Sequence, residues 1–187
     1  MSGAILSEAQ RDQIVRLAAE AGAKAALETL EKERQRESRE MADRRLQSTK
    51  LLLKNYRDFK AHATYAVYEA EIEVDVTEVI MDFMMSSGKA EAKVESIKES
   101  MARTVAIVNH IDAMLDFYKT SCFCYGSPED ERRWEVIYSL YISDDAANVD
   151  ALAVKFKVDT RTIYKDITRA CERLSVLLFG IDGIKKR

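Results

Sequence analysis

Residues 149–178 read VDALAVKFKVDTRTIYKDITRACERLSVLL, two helical periodicities separated by the tight link KVD. A short helix and a longer one joined by three or four residues make the helix-turn-helix pattern. Its physical demands can be followed position by position. Ala153 supplies the small residue where the two helices come closest, and Leu152, Phe156 and Val158 supply apolar contacts around the turn. Ile163, Ile167, Ala170 and Leu174 recur at steps of three and four, which predicts the buried side of the second helix. Asp159 can cap that helix. Lys157 stands where glycine is common, so its backbone must become left-handed at some cost, or the turn must differ.

At about 100° per residue, a core of Ile163, Ile167, Ala170 and Leu174 leaves Arg161, Lys165, Thr168 and Glu172 on the opposite face, with Tyr164 beside it. A recognition helix enters the major groove by its N-terminal part. Arg161, Tyr164, Lys165 and Thr168 are therefore the candidates for base contact. Arg161 leads them because a guanidinium can bond a guanine edge bidentately. Thr160 and Thr162 at the helix start, with Arg169 and Arg173 along its sides, are expected to meet phosphates and set position.

Working outward, SPEDERRWEVIYSLY at 127–141 carries a strong helix start. Ser127 can cap, Pro128 suits the first helical position, and Glu129, Asp130 and Glu131 favour the positive end of the dipole. Its stripe Trp134, Ile137, Tyr138 and Tyr141 needs partners from the following helices. Upstream, Val94, Ile97, Met101, Val105, Val108, Ile111, Leu115 and Tyr118 form the most regular seam of the chain. That seam predicts a helix packed in a bundle or coiled coil, and leaves open whether the facing helix belongs to the same chain. The pattern stops at SCFCYGS, residues 121–127, the expected boundary between parts.

Residues 7–61 hold no proline and one glycine, so one or two long helices are expected, with Ser7 as N-cap. Almost every position from Glu31 to Arg45 is polar, which predicts a solvated connector. Tyr65, Tyr68, Ile72, Val76, Val79, Ile80 and Phe83 predict a helix ending near Met85, although Ile72, Val74 and Val76 alone would suggest a short strand. Ser86, Ser87 and Gly88 supply a turn after it.

One proline and six glycines in 187 residues leave few turn signals, and 47% apolar residues suffice for a core, so the fold class is all-α. No apolar run is long enough to span a membrane, and MSGAILSEAQRDQ lacks the segments of a signal peptide, so a cytoplasmic protein with no membrane partner is expected. The net charge of -3 argues against wholesale coating of nucleic acid. Its distribution matters more. Residues 31–60 and 149–187 are basic, while Glu69, Glu71, Glu73, Asp75, Glu78 and Asp82 make an acidic middle that reads as a solvated face.

Cys122, Cys124 and Cys171 lack zinc-ligand spacing and are expected as thiols. His62 and His110 have no neighbouring nucleophile and acidic orienter, and no glycine loop could cradle a nucleotide. The sequence thus offers no catalytic residue, no metal site and no cofactor, and an enzyme is the least favoured class.

The stretch VKFKVDTRTIYKDITRACERLSVLLFG, residues 154–180, resembles the C-terminal segment of phage and prophage transcriptional regulators of Gram-positive bacteria. These are the ArpU-like and RinA-like late regulators, whose helix-turn-helix looks like sigma factor region 4. A second stretch, RRLQSTKLLLKNYRDFKAH at 44–62, is similar to an N-terminal block of the same kind of protein. There Leu46, Leu51, Leu53 and Tyr56 can be core, with Lys50, Lys54 and Arg57 solvated. The resemblance implies binding of double-stranded promoter DNA with contact to RNA polymerase, as activator, repressor or sigma-like subunit.

The organisation expected is a helical region over 1–120, a bundle or coiled coil for self-association or polymerase contact, followed by a helix-turn-helix domain over 127–187. Two other readings compete. A phage small terminase-like DNA-packaging protein also joins a helix-turn-helix to helices that form a homo-oligomer, and a helical interaction protein could use the same helices without binding DNA.

Overall fold

A computed structural model describes residues 7–66, 75–86, 89–90 and 101–180. Among these residues there is helix and no strand, so the protein is all-α. In chain order the helices are α1 (Glu8–Lys54), α2 (Tyr56–Ala66), α3 (Val76–Met85), α4 (Met101–Tyr125), α5 (Pro128–Ile137), α6 (Val149–Phe156) and α7 (Thr160–Phe179). A π-helical turn, Tyr138–Ile142, continues α5. The chain forms two compact units, residues 1–41 and 42–187, and residues on both sides of 121–127 belong to the second. The seam positions Val94 and Ile97, and Tyr68, Ile72 and Val74 with the strand alternative, lie outside the described residues.

In the first unit, Ser7 and Gln10 form a capping box at the start of α1. The Ser7 backbone N–H donates to Gln10 Oε1 at 2.9 Å, and the Gln10 N–H donates to Ser7 Oγ at 3.4 Å. Every residue from Ser7 to Glu40 is exposed, including Ile14, Leu17, Leu27 and Leu30. Of the polar segment expected to be solvated from Glu31 to Arg45, residues 31–40 are exposed as its composition predicts, but Arg45 is buried where the helix enters the second unit.

The second unit buries α1 from Arg45 onward, with Thr49, Leu52 and Leu53 nearly inaccessible. Helical bonding runs across the junction to α2, since the Asn55 N–H donates to the Leu51 carbonyl and the Phe59 N–H to the Asn55 carbonyl. Tyr56 and Phe59 then pack α2 against α4. The Tyr56 hydroxyl donates to the Asp112 carboxylate, and Lys60 Nζ donates to the Tyr56 oxygen at 2.8 Å. Burial, reinforced by the Asp112 carboxylate, pushes the Tyr56 phenol up to about 12.

Helix α4 is the hub, packing on α2, α3, α5 and α7. Over the described part of the seam, residues 101–125, helices of the same chain face it. Val108, Ile111, Leu115 and Tyr118 are buried as expected, but Val105 is only half-buried, while Thr104 and Ile107 are fully covered. Partners on several sides widen the buried surface beyond one stripe. Helix α3 brings Val79, Ile80, Phe83 and Met84 to the core and ends at Met85 as its periodicity predicts.

The link between α4 and α5 is two residues long. A Cβ on Gly126 would stand 2.3 Å from the Cys122 carbonyl oxygen, so this position requires glycine. Ser127 closes a capping box with Asp130, and Pro128 opens α5. Trp134 meets the edge of Tyr118 at 6.1 Å between ring centroids, tying α5 to α4. Of the predicted α5 stripe, Trp134 and Ile137 are buried and Tyr138 is 45% exposed, with Val136 taking the inner position.

Candidate nucleic-acid interface

Asn148 starts α6 by accepting the Ala151 N–H at 2.7 Å. The end of α6 is a Schellman closure: the Val158 N–H reaches the Ala153 carbonyl at 3.0 Å and the Lys157 N–H the Val154 carbonyl at 3.2 Å. Lys157 pivots the chain with φ 54° and ψ 43°, the left-handed conformation usually left to glycine. Asp159 then caps α7 by accepting the Arg161 N–H at 2.7 Å. Three residues thus reverse the chain with each end of the turn satisfied.

Val136, Leu152, Ala153 and Ile163 form the small core beneath this turn, with Phe156, Val158 and Ile167 packed against it. Ala153, where the sequence requires a small residue, is 8% exposed. Along α7, Ile163, Ala170 and Leu174 are buried and Ile167 is half-buried, as their spacing predicts.

The opposite face of α7 carries Arg161, Tyr164 and Lys165, all exposed. Among the described residues neither Arg161 nor Lys165 has a carboxylate partner, so both charges are presented to solvent next to the turn. Thr168 is half-buried and its hydroxyl donates to the Tyr164 carbonyl at 3.0 Å, which leaves it oxygen lone pairs for a ligand. Thr160 and Thr162 are half-buried in the first turn.

Arg169 and Arg173 are exposed along the adjoining side of the helix. They line a cleft of about 350 Å³ together with Ser121, Tyr125, Asp130 and Arg133. The arrangement therefore gathers Arg161, Tyr164, Lys165 and Thr168 on one side of α7, with Arg169 and Arg173 beside them at the edge of the cleft.

Two features escape sequence reasoning. Asp166, on the flank of α7, is 2% exposed and accepts Arg132 Nε at 2.8 Å and Arg133 Nε at 3.3 Å. Its position beside Ile163 and Ala170 on the helical wheel is the only signal that it needs a buried partner. Arg57, expected to be solvated, donates Nε to the Ser143 carbonyl at 2.7 Å and Nη2 to the Leu140 carbonyl at 2.9 Å. It satisfies carbonyls at the end of the π-helical turn, so residues 44–62 brace the segment that leads into α6.

The three cysteines are free thiols, Cys122 and Cys171 buried and Cys124 exposed. Burial pushes the Cys171 thiol up to about 11, which keeps it protonated and unreactive near neutral pH. Among the described residues no helix is long and apolar enough to cross a membrane. No family model, curated protein or solved structure matches this chain.

Proposed function

We propose that this chain is a sequence-specific, DNA-binding regulator of transcription that inserts the start of α7 into the major groove. The observation carrying the proposal is the exposed, unpaired set of Arg161, Tyr164 and Lys165 directly after a tight, fully capped turn. Ile163, Ala170 and Leu174 anchor the other side of the helix, so these side chains project from a rigid support. Arg161 is assigned to base reading and Thr168 to the same groove, with Thr160 and Thr162 at adjoining phosphates.

The function fits a phage or prophage regulator acting in the cytoplasm, in line with the resemblance of residues 154–180 and 44–62. The exposed helix over residues 8–40 is assigned to self-association or to contact with RNA polymerase. Selection of bound fragments from genomic DNA of the source, followed by footprinting, tests the proposal. Recovery of promoter segments at moderate salt supports it. Recovery of a packaging site with a many-subunit ring in solution supports the terminase-like reading instead, and absence of specific binding defeats both.

A further inference from the structure

The cleft holding Arg169 and Arg173 has chemistry of its own. It lies between the C-terminal end of α4, the Gly126–Ser127 link and α7, and encloses about 350 Å³. Three guanidinium groups, those of Arg133, Arg169 and Arg173, line it against one carboxylate, Asp130. That carboxylate is already engaged, since it accepts the Ser127 N–H at 3.0 Å, the Ser127 hydroxyl at 2.9 Å and Arg133 Nη1. Arg133 in turn is held by Asp130 and Asp166.

Arg169 and Arg173 are different. They stand one helical turn apart on the same wall, and among the described residues neither makes a hydrogen bond or an ion pair. Two unsatisfied guanidinium forks, each with fixed, parallel N–H donors, match the oxygens of a tetrahedral oxyanion, which is why arginine pairs recognise phosphate. The Ser121 hydroxyl lines the same space, and the Tyr125 ring at its edge is 89% exposed.

We infer that this cleft is a phosphate-binding site in which Arg169 and Arg173 clamp the oxyanion and Arg133 supplies a fixed positive wall. The phosphate comes either from the DNA backbone beside the reading face or from a free phosphorylated small molecule. The site adjoins the proposed reading face, since Arg169 follows Lys165 by one helical turn, and its DNA-backbone source rests on the proposed function whereas its small-molecule source does not.

The test titrates inorganic phosphate into the full chain at constant ionic strength, with sodium chloride as control. The wild type should show saturable one-to-one binding by calorimetry, and Arg169→Gln with Arg173→Gln should weaken it at least about tenfold. Both side chains are exposed, so the double variant should keep the wild-type melting temperature in phosphate-free buffer. A short mixed-sequence duplex added to the phosphate-bound protein then separates the sources. Displacement of phosphate assigns the cleft to the DNA backbone, and simultaneous binding assigns it to a small molecule. Absence of saturable binding in the wild type, or equal binding by the double variant, overturns the site.

Discussion

Arg132 Nε donates to Asp166 Oδ2 at 2.8 Å, although only 2% of the Asp166 side chain is accessible. With Arg133 on its other oxygen, this carboxylate ties α5 to α7 through charges withdrawn from water. Removing one member of such a group strands the others.

Asp166→Ala should therefore destabilise the protein by about 3 kcal/mol, far more than a surface substitution. Urea denaturation measures it. A loss below about 1 kcal/mol would mean that water or another acceptor takes over the two arginines.

Lys157 is the only described non-glycine residue with positive φ. Lys157→Gly removes its Cβ from the left-handed conformation and should stabilise the fold by roughly 0.5–1 kcal/mol. A lowered melting temperature would show that the lysine stem makes contacts worth more than the backbone relief.

Hydrogen bonding from the Ser127 backbone N–H, then from its hydroxyl and from Arg133, holds the Asp130 carboxyl below its ordinary range. A depressed folded value means stability that is present above the unfolded pKa and lost as pH falls through the folded one. The stability gap between wild type and Asp130→Asn should thus be full near pH 7 and shrink below about pH 4. A gap that does not change with pH would refute the charge contribution.

Helix α4 buries Ile107 fully and Val105 only in part. Ile107→Asp should destabilise much more than Val105→Asp, because only the first places an unpaired carboxylate at a fully buried position. Equal melting temperatures for the two variants would contradict this orientation of the helix.

Under the proposed function, Arg161→Ala should relax sequence preference; with the DNA backbone as the occupant of the cleft, Arg169→Ala should weaken binding to all sequences and flatten its salt dependence. Affinities on specific and scrambled duplexes decide between them. If Arg161→Ala leaves their ratio intact, base reading lies elsewhere on α7.

The helices and their ends were largely legible because they depend on local chemistry: Ser7, Ser127 and Asp159 cap where their side chains predict. Most of the buried side of α7 was legible too, since Ile163, Ala170 and Leu174 keep one helical period. Legibility failed where a residue answers to several partners. The seam of α4 misplaced Val105 because that helix is contacted on several sides, and Arg57 read as solvated because its acceptors lie more than eighty residues away. Asp166 was hidden for the same reason, as its partners belong to another helix.

The reach of Arg57 governs how the protein can be dissected. A fragment beginning at Ser127 would retain every candidate base-contacting side chain, yet it would strip the Arg57 donors from the Leu140 and Ser143 carbonyls and remove the Tyr118 ring packed on Trp134. It would also lose the His110 ring that meets the Leu178 carbonyl at 3.1 Å near the end of α7. Such a truncation would present α7 on a loosened scaffold, so, under the proposed function, weak DNA binding by the excised piece would report the missing braces rather than the chemistry of the proposed reading face.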